Sequence, residues 1–195
     1  MSWVVKLGGS LSNDERLANW LDMLLDCGKG RIVIVPGGGP YADAVRAQQQ
    51  RWKFSDEVAH RMALLAMDQF ALQLNGMNSQ LVLTPTQAAI VGALANNQLA
   101  LWLPSAMVSS AEQIAATWDI TSDSLSAWLA RLLEAERLVL VKSCAIPPNG
   151  AFDALAQSEI IDREFTNMTR SAPFQIQIVS VSDIDRIRHD LTMSQ

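Results

Sequence analysis

The sequence predicts an α/β protein: a mostly parallel sheet with helices on both faces, a three-layer α/β/α sandwich. Two observations predict it. Short runs of Val, Ile and Leu alternate with longer stretches of helical periodicity, and the runs are apolar at consecutive positions, as strands buried on both faces are. A third observation narrows the class. Several apolar runs end in glycine or lysine, and in open parallel sheets ligands sit beyond the carboxyl ends of the strands.

The elements follow in order along the chain. "WVVKL" (3–7) reads as a buried strand, after which Leu17, Leu21, Leu24 and Leu25 fall on one helical face. "RIVIV" (31–35) is a second strand, closed by Pro36 and three glycines. A helix is expected from about Pro40 to Gln50, Pro being accepted in a first turn. A longer one covers about Ser55 to Asn75, with Val58, Met62, Leu65 and Phe70 as expected core. "QLVLT" (80–84) and "LALWL" (99–103) read as strands flanking a short helix. "TSDS" (121–124) supplies capping residues for a helix with Leu125, Trp128, Leu129, Leu132 and Leu133 as its stripe. "RLVLVK" (137–142) and "FQIQIVSV" (174–181) are the last strands, before a short helix over about Asp183 to Leu191. Residues 143–173 carry no clear period.

At 195 residues, 49% hydrophobic and 18% charged, the chain is expected to form one globular domain over 1–195. The net charge of −5 argues against nucleic acid or an anionic membrane as partner. With no run long enough to span a bilayer and no leader-like start, a cytoplasmic protein is expected. Cys27 and Cys144 fit no metal-ligand or redox spacing and are expected to be reduced, mostly buried thiols. Of the six tryptophans, Trp52 and Trp118 flank predicted elements and are the two expected near a ligand.

The chemistry concentrates at three strand ends. "VVKLGGS" places Lys6 before Gly8, Gly9 and Ser10. "IVIVPGGGP" places Gly37, Gly38 and Gly39 before a helix, and "LVLVKSC" ends its strand on Lys142. Glycine turns at helix starts offer backbone N–H groups to an anion without a Cβ in the way. Two of only four lysines lie at strand ends, which adds full positive charge. A phosphate-rich site accounts for all three features. A hairpin at Gly8-Gly9 would need a returning strand, and helical sequence follows instead. Neither a P-loop nor a G-x-G-x-x-G fingerprint is present.

"VVKLGGSL", "IVIVPGGGPYAD", "WDITSDSLSAWLA" and "LVLVKSC" occur in the order seen in the amino acid kinase superfamily, which the chain resembles over roughly residues 3–145. The resemblance implies an acceptor side, roughly 1–105, and a nucleotide side, roughly 106–195. It implies ATP and Mg²⁺ as cofactors, and a homo-oligomer. By the motif match, Lys6 and Lys142 would stabilise the transferred phosphoryl group, and Asp123 would position the two lysines. Gly8, Gly9, Ser10 and Ser122 would bind phosphate or nucleotide, while Gly37, Gly38 and Gly39 would face the acceptor. "SDEVAHRMALLAMDQFALQL" (55–74) and "WDITSDS" resemble the small phosphate-accepting kinases, closest to the type that phosphorylates an aminomethyl-furan-methyl phosphate in methanofuran synthesis. That likeness makes His60 the expected phosphate-recognising residue and a small phosphorylated metabolite the expected partner; the metal ligands stay unassigned. One departure is plain. Where most members carry an Asp-Val-Asp-Gly-Val-Tyr-like nucleotide loop, this chain reads "KSCAIPPNGAFD" (142–153), which favours as alternative a nucleotide- or oxyanion-binding protein without transfer activity; a carboxylate-accepting kinase is a second alternative, against which His60 and the short chain lean.

Overall fold

The structure, a computed structural model, describes residues 2–148 and 150–193. Six strands form one sheet: β1 (Trp3–Leu7), β2 (Ile32–Pro36), β3 (Leu81–Thr84), β4 (Leu99–Trp102), β5 (Arg137–Lys142) and β6 (Gln175–Ser180). Their order is β3-β4-β2-β1-β5-β6, and every pairing is parallel. The central strands β1, β2 and β4 are buried at every position, which is why their sequences run apolar without alternation.

Side chains nonetheless alternate between two cores, as the pleat requires. Val5, Leu7, Ile34, Val139 and Val141 face α1 (Arg16–Gly28) on one side. There Leu17, Leu21, Leu24 and Leu25 are all buried, and the last helix, α9 (Ile184–Met193), adds Ile187 and Leu191. Val4, Val33, Val35, Leu138 and Leu140 face the other side. That side is covered by α4 (Gln87–Ala95) and α6 (Ser122–Leu132), with Phe165 of the short helix α8 (Phe165–Thr169).

Between β2 and β3 lie α2 (Gly39–Trp52) and α3 (Asp56–Met77). The chain turns between them at Lys53, whose φ of 56° is left-handed. Ser55 caps α3 by accepting the Val58 N–H. The core face of α3 differs from expectation. Phe70 is buried, but Val58 and Leu65 are exposed and Met62 is only half-buried; Ala59, Leu64, Met67, Ala71 and Leu74 take the inward positions. The helix is apolar on two faces, so its periodicity alone does not choose between them.

Three short helices had no sequence signal: α5 (Pro104–Val108), α7 (Phe152–Gln157) and α8. Pieces of five or six residues are too brief for a 3.6-residue period to register. Cys144 is exposed, contrary to expectation, because it lies in the loop after β5 outside the sheet; Cys27 is half-buried. Among the described residues no helix is long and apolar enough to cross a membrane.

Candidate active site

The register of β1 and β5 brings the two lysines together. Lys6 pairs with Leu140, so Lys142 stands two residues further along its strand. Strand alternation then sends Lys6, after Val4, and Lys142, after Leu138 and Leu140, to the same face. That face carries α6, whose second residue is Asp123. Lys6 Nζ lies 2.8 Å from Asp123 Oδ1, and Lys142 Nζ donates to Asp123 Oδ2 at 2.6 Å. All three side chains are buried.

Two ammonium groups sharing one carboxylate leave that triad with one positive charge in excess. Burial works against the Asp123 carboxylate, but Lys6 and Lys142 outweigh it and hold its pKa down to about 2. Burial, helped by repulsion from Lys6, pulls Lys142 down to about 8 against the attraction of Asp123. A cation so poorly solvated has much to gain from an incoming anion.

The glycine loops meet main chain to main chain. A Cβ on Gly9 would lie 2.1 Å from the Gly39 nitrogen, and one on Gly37 would lie 2.1 Å from the Gly9 nitrogen. No side chain fits at either position. Gly8 donates to the Val141 carbonyl at 3.2 Å and Gly37 to the Leu7 carbonyl at 2.9 Å, which ties both loops to the sheet. Gly9 and Ser10 open a 3₁₀ turn (Gly9–Asn13), whose first N–H groups have no partner within the turn.

Two cavities adjoin here, sharing three lining residues, and the smaller stands over the glycine loops. One of about 250 Å³ is lined by Gly9, Ser10, Gly38, Gly39, His60 and Ser122, with Leu64, Met67, Ile120 and Leu125 as its apolar wall. The other, about 560 Å³, holds Lys6, Asp123 and Lys142. Arg46, Trp118 and Thr121 line both. The Arg46 guanidinium sits 4.4 Å from the Trp118 ring centre, and Trp118 Nε1 donates to Gln49 Oε1 at 2.6 Å, fixing the indole at the junction.

Of the residues singled out in the sequence, Lys6, Asp123 and Lys142 meet in one chamber, and Gly9, Ser10, Gly38, Gly39, His60 and Ser122 line its neighbour. Gly8 and Gly37 line neither cavity and form the packed backs of the loops. His60 is half-buried, which lowers its pKa and favours the neutral ring. Trp118 lines the site, whereas Trp52 is 65% exposed and lines neither cavity. Thr117, Trp118, Ile120, Thr121, Ser122 and Leu125 supply one wall of the smaller cavity.

Sequence reasoning missed Arg46, Gln49 and Asp162. Arg46 carried no signal beyond its helical spacing, one turn after Asp43. Asp162 lies in the stretch without periodicity, yet its carboxylate caps α6. Thr121, expected to cap that helix, makes no side-chain cap bond and donates to Asp162 instead.

A parallel α/β sheet whose strand ends present two buried lysines and two side-chain-free loops defines a phosphate-handling protein. The sequence model of the amino acid kinase family matches residues 1–145, and the chain belongs to that family. It is a kinase of small molecules. The chain is similar to the [5-(aminomethyl)furan-3-yl]methyl phosphate kinase of Methanocaldococcus jannaschii, 27% identical over 160 residues, covering 82% of this chain and 72% of that one. Its fold is similar to that of uridylate kinase from Archaeoglobus fulgidus, with a TM-score of 0.71 at 14% identity over 98% of this chain and 96% of the other. UMP kinase from Bacillus anthracis gives 0.69 at 14% identity, over 98% and 92%.

Proposed function

We propose that the protein transfers the γ-phosphoryl group of ATP to the phosphate monoester of a small metabolite, an aminomethyl-furan-methyl phosphate being the acceptor its relative suggests. The observation that carries the reading is the Lys6–Asp123–Lys142 cluster beside a separate small cavity lined by the second glycine loop. In this reading the smaller cavity takes the acceptor. His60 and Arg46 bind its phosphate, and the apolar wall with Trp118 holds its body. The chamber of the lysines takes the transferred group, and the segment after β5 faces the nucleotide.

Phosphoryl transfer between two phosphates needs little covalent work from side chains. The second pKa of a monoester is about 6, so at pH 7 its oxygen is largely an unprotonated nucleophile and no general base is required. The obstacle is repulsion between polyanions. Lys6 and Lys142 neutralise charge on the group in flight, the amides of Gly9 and Ser10 receive its oxygens, and Asp123 keeps the ammonium groups from splaying apart.

The residues fit Mg²⁺ in a limited way. Asp123 is committed to two lysines and Asp162 to the start of α6, and no group of three His, Cys, Asp or Glu able to hold a metal occurs among the described residues. A magnesium ion would therefore be held chiefly by nucleotide phosphates and water, as its coordination habits allow, and would supply further charge neutralisation. The proposal includes a cytoplasmic homo-oligomer, for which the exposed stripe of Val58, Leu65 and Leu72 along α3 offers a contact surface.

Coupled ADP release against a panel of small phosphates and carboxylates tests the reading. Acceptor-dependent ADP with a phosphate ester is the expected result. Ligand-induced stabilisation without ADP would mean a binding protein, and turnover with a carboxylate alone would mean a different acceptor class.

A further inference from the structure

We infer that Asp162 is a positioning residue for phosphoryl transfer, fixing the first turn of α6 so that Asp123 meets both lysines. The inference rests on the kinase reading of the site, but its geometry stands without it. Asp162 lies between α7 and α8, 39 residues beyond Asp123 in sequence. Its Oδ2 accepts from the Thr121 N–H at 2.8 Å, from Thr121 Oγ1 at 2.9 Å and from the Ser124 N–H at 3.0 Å. Ser124 Oγ donates to Oδ1. Its own N–H donates to Asp123 Oδ2 at 3.3 Å, the same oxygen that holds Lys142.

These bonds do more than an ordinary cap. A local capping residue satisfies amides of its own helix. Asp162 grips α6 from a distant segment and touches the catalytic carboxylate at the same time. Any tilt of the first turn would displace Asp123 from one lysine or the other, and displacements of about 1 Å near a reacting centre can cost about a hundredfold in rate.

The carboxylate also belongs to the electrostatics of the chamber. Lys6 comes from β1, Lys142 from β5, Asp123 from α6 and Arg46 from α2, while Glu159 and Arg163 flank Asp162. Asp162 attracts Lys142 and opposes the burial that would strip its proton. Burial and repulsion from Asp123 push Asp162 itself up, against the bonds from Ser124 and Thr121 that keep it charged.

The test is Asp162→Asn, which keeps the size and an acceptor oxygen but removes the charge. With lysine labelled at Cε and only four lysines in the chain, the Lys142 titration is readable by NMR. The expected result is a drop of about threefold or more in the proton affinity of Lys142, with Lys29 and Lys53 unmoved. Turnover should fall about tenfold to a hundredfold while the acceptor KM stays within about twofold. A folded variant with an unchanged Lys142 titration and unchanged turnover overturns the inference. If the variant does not fold, Ser124→Ala replaces it, since it keeps both carboxylates and removes one donor to Asp162. Its kcat should then fall severalfold while the acceptor KM holds, and an unchanged kcat overturns the inference. Wild-type protein without turnover would refute the kinase reading alone, because the Lys142 titration needs no activity.

Discussion

The glycine seam borders the smaller cavity and residues 156–163 border the adjoining lysine chamber, and the two are built by opposite means. The seam is main chain against main chain, held by strand register and by two loops that exclude any Cβ. The segment after β5 is irregular, with two short helices, and reaches the site through single side chains such as Asp162. Geometry fixed by backbone is insensitive to its surroundings. Geometry fixed by one carboxylate is tunable by charge and pH.

The sharpest break in that comparison comes from removing a cation both regions serve. Lys6→Ala should lower turnover by about 10²–10³-fold with the fold intact, as loss of a charge-stabilising group in phosphoryl transfer does. Steady-state ADP release with circular dichroism checks it, and unchanged turnover would remove Lys6 from the mechanism.

Next in size is the seam. Gly37→Ala should destabilise by about 2–3 kcal/mol, because its Cβ meets the backbone of Gly9 and no flexible side chain can yield. That corresponds to a fall of about 5–10 °C in Tm, readable by thermal denaturation. A variant as stable as the parent would show the two loops to be less tightly packed than described.

The C-terminal side should show itself through pH. Lys142, pulled down to about 8, loses its charge as pH rises through that value, so kcat/KM should decline on the alkaline side from there. The corresponding limb in kcat should lie higher, since bound phosphates hold the ammonium charged. Stability should follow a different sign. Between about 8 and 10.5 the unfolded chain keeps a proton that native Lys142 has released, so this group's contribution to stability rises with pH. Coincident limbs in kcat and kcat/KM would place the titrating group away from the bound phosphates.

The smallest effect serves as a control on the seam. Gly92, central in α4, would carry a Cβ with nothing within 4 Å. Gly92→Ala should therefore stabilise by ~0.5–1 kcal/mol with unchanged turnover, a gain of about 1–4 °C in Tm.

The same contrast explains what was legible in the sequence. Lys6, Lys142 and the glycine runs stand out because each breaks an apolar strand, and strand register alone carries the lysines to one place. The six strands were readable from their short runs rich in Val, Ile and Leu. Asp162 could not be found, because nothing local marks a carboxylate that caps a helix some forty residues away. "TSDS" offered capping residues, but at the cap position the Thr121 side chain accepts no helix amide and the distant Asp162 takes that place. The α3 helix shows the other limit. Val58 and Leu65 fit a helical period as well as Leu64 and Met67 do, and only packing against α2 and the sheet decides which set goes inward.

The absence of side chains where the two glycine loops touch has an evolutionary corollary. Under the proposed reading, residues around His60 and Trp118 can be exchanged for a new acceptor, because neither is among the atoms packed against Gly9, Gly37 or Gly39. Substrate range can drift across descendants of this chain while the register of the reaction stays locked.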